Sequence, residues 1–319
     1  MIEGVMVSVR VLTYNQENWI RQTLDSILAQ RTTYSFEIVI GEDCGTDRTR
    51  KICEEYAAKY ENVFLVPQDH NLGLIGNWAN VNHHVSGKYI MGCAGDDYWH
   101  NTDKIQMQVD FMESHPECVV CHTDIDELHE TSGTLLRNVK QSRGIVPPEG
   151  KIQKEILAGR EYSTAVTMCV RREVFEKYVP YDEFAKRGFP REDWPTLLIL
   201  AAHGEIRYLP VSTATYRVGQ ESITRTSNYE KVIRRAHEDM EMTKYLYDIF
   251  PEWGPFLDEP YFATVGYHNA LHAAYRNNDY EAAHEFAQKD TLGKWATRMA
   301  RTKLTFQIYR WIQIKRKRL

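Results

Sequence analysis

No apolar run in this 319-residue chain approaches the roughly 18 residues that a membrane-spanning helix needs. The opening stretch MIEGVMVSVRVLTYNQ carries neither the basic flank nor the small-residue cleavage site of a secretory leader. Together these absences lead us to expect a cytoplasmic protein. There is no excess of charge of one sign either. The 39 Lys and Arg stand against 44 Asp and Glu, a formal net charge of −5, so nothing draws the whole molecule to nucleic acid and none is expected as a partner. Six scattered cysteines include one CxxC, Cys118 and Cys121 in ECVVCHTD, with no second pair to complete a zinc site. They read as reduced structural thiols. His268 and His272 stand four apart but lack the glutamate of a zinc-protease helix, which makes them packing or surface residues. No internal repeat is long enough for a solenoid.

What is present is a rhythm. Val5, Val7, Val9 and Val11 mark a first strand, and NQENWIRQTLDSILAQ a helix with Ile20, Leu24, Ile27 and Leu28 at helical spacing behind Asn15 as N-cap. FEIVIGED reads as strand, TDRTRKICEEYAAKY as helix with Asp47 near its start, VFLVP as strand, GLIGNWANVNHHV as helix and KYIMGCAG as strand. TDKIQMQVDFMESHP is then helix and ECVVCHTD strand. Strands alternating with helices predict an α/β architecture, a mostly parallel sheet flanked by helices. From Leu128 to Thr164 the patterning is least regular. AVTMCV follows as strand, RREVFEKY as helix, FPREDWPTLLILAAHGEI as loop and helix stopped at Gly204, and RYLPVSTATYR as strand; Tyr229 onward is helical, with a hairpin in YHNALHAAYRNNDYEAAHEFAQK.

In such sheets the ligand crevice lies beyond the carboxyl ends of the strands. That rule gathers four loops, TYNQEN, GEDCGTD, QDHNLGLIG and AGDDYWHN, and puts the paired carboxylates Asp96 and Asp97 at the rim with Glu42 and Asp43. Neighbouring residues leaving a strand point in roughly opposite directions, which suits two tasks. One carboxylate can serve a hard divalent cation whose shell is completed by phosphates, the other a sugar hydroxyl; alternatively the pair only caps its turn or the next helix. Asp193 in REDW is likewise either a general base or the cap of the helix that Pro195 opens.

The ordered set VSVRVLTYNQENWIRQTLDSILAQ, FEIVIGEDCGTDRT, HNLGLIGNWANVNHHVSGKYI, AGDDYWHNTDKIQMQVDFM and REDW resembles the family 2 glycosyltransferases of GT-A fold, a Rossmann-like sheet, over about Val5 to Thr224. The resemblance implies a nucleotide-sugar donor, most often a UDP-sugar. Thr13, Tyr14, Asn15 and Glu17 would wrap the nucleotide together with Asn71, Asp43 would recognise the uracil and Asp96 the ribose, and Asp97 would coordinate Mg²⁺ or Mn²⁺. Asp193 would be the catalytic base with Glu192 beside it, and Trp99, Trp194 and His203 would touch the sugar or acceptor. Two positions depart from the family pattern: Ala94 stands where many relatives carry a first carboxylate, and Gly219 where many carry a histidine.

The chemistry implied is an inverting transfer to a saccharide or lipid-linked saccharide acceptor, as in building a surface polysaccharide. No second nucleophilic carboxylate offers itself for double displacement. Two other readings stand beside it. A sugar nucleotidyltransferase would want a Gly-rich phosphate loop after the first strand, where LTYNQENW has no glycine. A catalytically silent saccharide-binding or scaffolding subunit would need neither Asp97 nor Asp193. The expected organisation is a catalytic domain over residues 1–226, with a nucleotide-sugar half to about 127 and an acceptor half from 128, then a helical extension over 227–319. From Lys294 to Leu319 that extension holds nine Lys or Arg and no acid, a pattern that either docks on its own domain or contacts an anionic membrane at the inner face of the cell.

Overall fold

The computed structural model describes residues 4–157, 163–219, 228–256, 259–292 and 295–316. They form two compact units, the first ending at Gly219. The boundary at 226 read from the sequence lies in 220–227, outside the described residues.

In the first unit β1 (Val7–Thr13), α1 (Ile20–Leu28), β2 (Phe36–Glu42), α2 (Thr49–Lys59), β3 (Val63–Leu65), α3 (Gly73–Asn82), β4 (Tyr89–Ala94) and α4 (Lys104–Ser114) alternate. β5 (Cys118–His129), β6 (Thr134–Leu136), α5 (Val139–Ser142), α6 (Gln153–Leu157), β7 (Cys169–Arg171), α7 (Arg172–Tyr178), α8 (Tyr181–Arg187), α9 (Asp193–His203) and β8 (Glu205–Val218) follow. One sheet runs β3-β2-β1-β4-β7-β5-β6, with β8 also paired to β5. β1 is parallel to β2 and β4, β2 to β3, and β5 to β8. β7 is antiparallel to β4 and β5, and β6 to β5.

Alternation along β1 sorts the two faces of the sheet. Val7, Val9 and Val11 share one face with Ile38, Ile40, Met91 and Cys93 through their register partners, and this face packs on the apolar stripes of α1 and α4. Ser8, Arg10 and Leu12 face the other way, toward α3. There Gly41 lets α3 approach closely: a Cβ at that position would lie 2.2 Å from Asn77 Oδ1, and Asn77 Nδ2 donates to the Gly41 carbonyl at 2.8 Å. Trp78 of α3 is fully buried, stacked on Phe184 of α8 and edge-on to Phe175 of α7.

Two local expectations are corrected. Asn15 is not the cap of α1, which begins at Ile20. Its backbone is left-handed, φ 50°, and its Oδ1 accepts from the Thr46 N–H at 2.7 Å, tying the loop after β1 to the loop after β2. AVTMCV is only partly strand, because Ala165–Thr167 is a 3-10 turn closed by the Thr167 hydroxyl on the Thr164 carbonyl at 2.7 Å. Gly204 does end α9, in extended backbone; a Cβ there would lie 2.2 Å from Val119.

The second unit is helical: α10 (Tyr229–Ile249), α11 (Glu259–Asn277), α12 (Tyr280–Lys289), α13 (Trp295–Met299) and α14 (Lys303–Arg316). α10 is capped by Asn228 and α12 by Asp279, whose side chains accept from the N–H groups of Lys231 and Ala282. α11 and α12 form the hairpin read from the sequence, turning at Asn278 with φ 59°. Its core gathers Ala270, Leu271, Ala274, Tyr275 and Phe306, and His268 bonds Asp290 at 2.8 Å. No helix among the described residues is long and apolar enough to cross a membrane.

Candidate active site

The carboxyl ends of β1, β2 and β4 bring the motif loops together. Thr13, the last residue of β1, accepts the Asp43 N–H at 3.0 Å, while the preceding residue, Leu12, accepts the Gly95 N–H at 2.9 Å. The loops after β2 and β4 therefore flank the end of β1. Asp43 Oδ1 accepts from Leu72 N–H at 2.7 Å and from Gln68 Nε2 at 3.0 Å, and Asn71 Nδ2 donates to the Asp43 carbonyl at 2.8 Å. Glu17 Oε2 accepts from the Arg48 N–H at 2.9 Å and the Glu17 N–H donates to Asp47 at 3.0 Å, clamping the same loops. Tyr14 at the tip is 48% exposed. Glu42, expected on the rim, is instead turned into the fold: its Oε1 accepts the Gly45 N–H at 2.7 Å, and burial raises its pKa.

The Asp96–Asp97 turn is held from beneath. Thr23 of α1 donates one hydroxyl between the Gly95 carbonyl at 2.9 Å and the Asp97 carbonyl at 2.6 Å. Gly95 is required here, since a Cβ would lie 2.4 Å from both Thr13 Oγ1 and Gln16 Oε1. Asp97 Oδ1 accepts the Arg217 N–H at 2.9 Å from the end of β8. The Arg217 guanidinium reaches Glu130 and Gln22 and lies 5.3 Å from the Tyr98 ring. Burial, then the neighbouring Asp96, lifts Asp97 well above the usual carboxylate range; burial lifts Asp96 too, against Arg217 and Gln16. Two desolvated, mutually repelling carboxylates suit a divalent cation, whose charge holds both ionised. Among the described residues no three His, Cys, Asp or Glu side chains form a cage. The pair offers hard oxygen donors of the kind that such a cation takes.

Asp193 is the first residue of α9, with Glu192 at the N-cap making no side-chain cap bond. Asp193 is exposed, and its Oδ1 accepts from the adjoining Trp194 N–H at 2.7 Å. Glu192 faces Arg10 electrostatically. Arg10 stands on the α3 face of β1, three residues or about 10 Å before Thr13. Its guanidinium donates to Asn82 and lies 5.3 Å from the Trp78 ring. Burial lowers its pKa to about 10, with Glu192 acting against that. Burial and the Asp193 charge push Glu192 up to about 7, against the pull of Arg10 and Arg191.

That shift has a consequence for stability. A carboxyl raised from 4.5 to about 7 costs the native state nothing below 4.5 and destabilises it progressively as pH rises to 7. One pKa unit is about 1.4 kcal/mol, and the partial exposure of Glu192 screens the total to about 2 kcal/mol. Glu192→Gln is therefore expected to match the parent in denaturant unfolding at pH 4.5 and to exceed it by about 2 kcal/mol at pH 8. An equal difference at both pH values would show that Glu192 does not titrate in this window.

Two proposed contact residues lie elsewhere. Trp99 follows the Asp pair, but its ring is 2% exposed and packs in the core near Lys104 Nζ, so no sugar can stack on it. Its backbone N–H is held by Ser26 at 3.0 Å, which turns the side chain inward. His203 ends α9, ten residues and about 15 Å from Asp193, with its ring stacked on Tyr178 at 3.5 Å. It stands at the opposite end of α9 from Asp193. Trp194 is half-buried beside Asp193. Gln16, Thr23, Gln68, Arg217 and Arg10 are the residues the motifs did not announce. Only Arg10 had a signal, a guanidinium in the middle of VSVRVLT.

A Rossmann-like sheet, parallel through β3-β2-β1-β4, with the motif loops and the carboxylate pair gathered at its strand ends, defines a GT-A architecture. Known structures share it. S. aureus TarS 1–349 in complex with UDP-GlcNAc superposes with a TM-score of 0.52 at 16% identity, over 98% of this chain and 92% of that one. The mannosyltransferase PcManGT from Pyrobaculum calidifontis, in complex with GDP-Man and Mn²⁺, gives 0.52 at 18%, over 96% and 86%. The sequence pattern described as Glycosyl transferase family 2 matches residues 8–179, and the chain belongs to that family. Among its relatives, the putative teichuronic acid biosynthesis glycosyltransferase TuaG of Bacillus subtilis is 32% identical, over 72% of this chain and 85% of its own length. An uncharacterised Mycobacterium tuberculosis protein is 32% identical over 66% of this chain, which spans 58% of that relative's length.

Proposed function

We propose that the chain transfers one sugar from a nucleotide-sugar, a UDP-sugar, to a hydroxyl of a saccharide or lipid-linked saccharide, with inversion, in the building of a surface polysaccharide. The observation that carries this is the meeting of Asp43, Thr13, Asp96 and Asp97 at the ends of three adjacent parallel strands. Asp43, its Oδ1 taken by Gln68 and Leu72, would accept the uracil ring N–H on Oδ2. Asp96 would take the ribose. Asp97 would coordinate Mg²⁺ or Mn²⁺, which supplies Lewis-acid stabilisation of the charge on the departing diphosphate. Asp193, exposed at the start of α9, would accept the acceptor hydroxyl's proton as that oxygen attacks. One displacement from the face opposite the leaving group inverts the anomeric carbon. TarS with UDP-GlcNAc, the mannosyltransferase with GDP-Man and Mn²⁺, and the name of TuaG accord with such a donor and such a pathway.

Thermal unfolding against UDP and GDP, each with Mn²⁺ and with chelator, tests this. At about a hundred times its dissociation constant a ligand adds roughly 2.7 kcal/mol. We expect UDP with Mn²⁺ to raise the melting temperature by several degrees and chelator to remove the shift. A larger shift with GDP would overturn the uracil assignment, and no shift with any nucleotide would overturn the transferase reading.

A further inference from the structure

The loop between β3 and α3 carries both donors that hold Asp43 Oδ1, and one side of it opens on a cavity. Gln68 and Leu72 line that cavity, of about 660 Å³, together with Arg50, Gly76 and Ala79. Hydrogen bonds therefore do much of what packing does elsewhere. Arg50 Nη1 donates to the Gln68 carbonyl at 3.0 Å and lies 3.9 Å from Oε2 of the buried Glu42, which ties the loop to α2 and to the end of β2. From this anchored backbone the Gln68 side chain, 8% exposed, turns its Nε2 to Asp43 Oδ1 at 3.0 Å, where the Leu72 N–H also arrives at 2.7 Å. A reversed amide would set Oε1 against Oδ1, acceptor against acceptor, so chemistry fixes which atom of Gln68 meets the carboxylate. Asp43 Oδ2 has no partner among the described residues.

The result is a carboxylate with one oxygen saturated and the other free. Oδ1 cannot turn to a ligand without breaking both bonds, so Oδ2 alone is left to meet a base, and it meets it as an acceptor. Uracil presents N3–H at that edge. Cytosine presents a bare N3, whose lone pair would face the carboxylate oxygen. A carboxylate free to swing aside would tolerate that nitrogen; one locked in place would not. We infer that Gln68 is a positioning residue through which the site selects uracil over cytosine. The inference rests on the UDP reading of the donor site and adds to it the side chain that makes Asp43 selective. Gln68 acts through Asp43 and touches no reacting atom. Of the two donors on Oδ1, that of Leu72 is backbone and survives substitution; that of Gln68 is a side chain and can be removed.

The measurement is titration calorimetry of the full chain with UDP and with CDP, both in Mn²⁺. The parent is expected to bind UDP at least about thirtyfold more tightly than CDP, the scale of leaving a buried charged acceptor unpaired. Gln68→Met nearly keeps the volume and loses the donor. It is expected to bind UDP about tenfold more weakly, as for a side chain no longer fixed in advance, and CDP as the parent does or more tightly. Gln68→Glu sets a second carboxylate against Oδ1, so that one of the two takes a proton and the site stops being a pure acceptor. Its UDP-to-CDP ratio is expected to narrow further. A UDP-to-CDP ratio unchanged in both variants, whether the two affinities fall together or not at all, would overturn the inference and leave the donor reading standing. Equal affinity of the parent for UDP and CDP would do the same. No binding of UDP by the parent would overturn the donor reading and this inference with it.

Discussion

Asp193→Asn is expected to lower turnover about a thousandfold while leaving donor binding intact. General-base contributions run from about 10² to 10⁴, and an amide cannot take the acceptor's proton. The substitution is close to isosteric and keeps the acceptor that receives the Trp194 N–H at 2.7 Å, so the start of α9 should hold. Asp193 is exposed, and surface changes of this kind stay within about 0.5 kcal/mol. The amide also removes the charge that helps push Glu192 up, so the pH dependence of stability should flatten together with the loss of turnover. The measurement is transfer from a UDP-sugar alongside the UDP-induced melting shift. Activity within a few-fold of the parent would remove Asp193 from the base role and return it to a residue at a helix start.

Much of this site was legible because motif residues and strand ends coincide. Period-2 alternation in VSVRVLT and FEIVIGE fixes β1 and β2, and the rule that ligands sit at strand carboxyl ends then places Thr13, Asp43, Asp96 and Asp97 together before any side chain is seen. What was not legible depends on contacts distant in sequence. Arg217, whose N–H holds Asp97 Oδ1, is 120 positions away from it, and no local pattern can announce such a pair. Trp99 and Glu42 show the opposite error. Each adjoins a motif, yet the direction of a side chain at the end of a strand is decided by packing and by short-range bonds, here Ser26 to the Trp99 N–H and Gly45 to Glu42. α8, YDEFAKR, was not read from the sequence; it is stabilised by Phe184 stacking on Trp78, a partner far away in the chain.

Asp97→Asn is expected to abolish the metal-dependent UDP shift and to lower turnover by at least about a hundredfold, the scale set by losing one electrostatic stabiliser of leaving-group charge. The choice of amide over alanine matters. Asp97 is buried and its Oδ1 accepts the Arg217 N–H at 2.9 Å; alanine would leave that donor without its partner, at about 1–3 kcal/mol, and would confuse loss of fold with loss of function. The amide keeps an acceptor for Arg217 and removes only the negative charge. It also removes one of two adjacent desolvated carboxylates, so the ligand-free protein should unfold at the same temperature or higher. The two effects therefore move in opposite directions: equal or greater stability without ligand, and no stabilisation by UDP with Mn²⁺. A turn that served only to cap the strand end would give the reverse, unchanged nucleotide response with Asp97→Asn. Retained turnover would then place the leaving-group stabilisation on other groups, with the Arg217 guanidinium, lying 5.3 Å from the Tyr98 ring, the first to examine by Arg217→Gln.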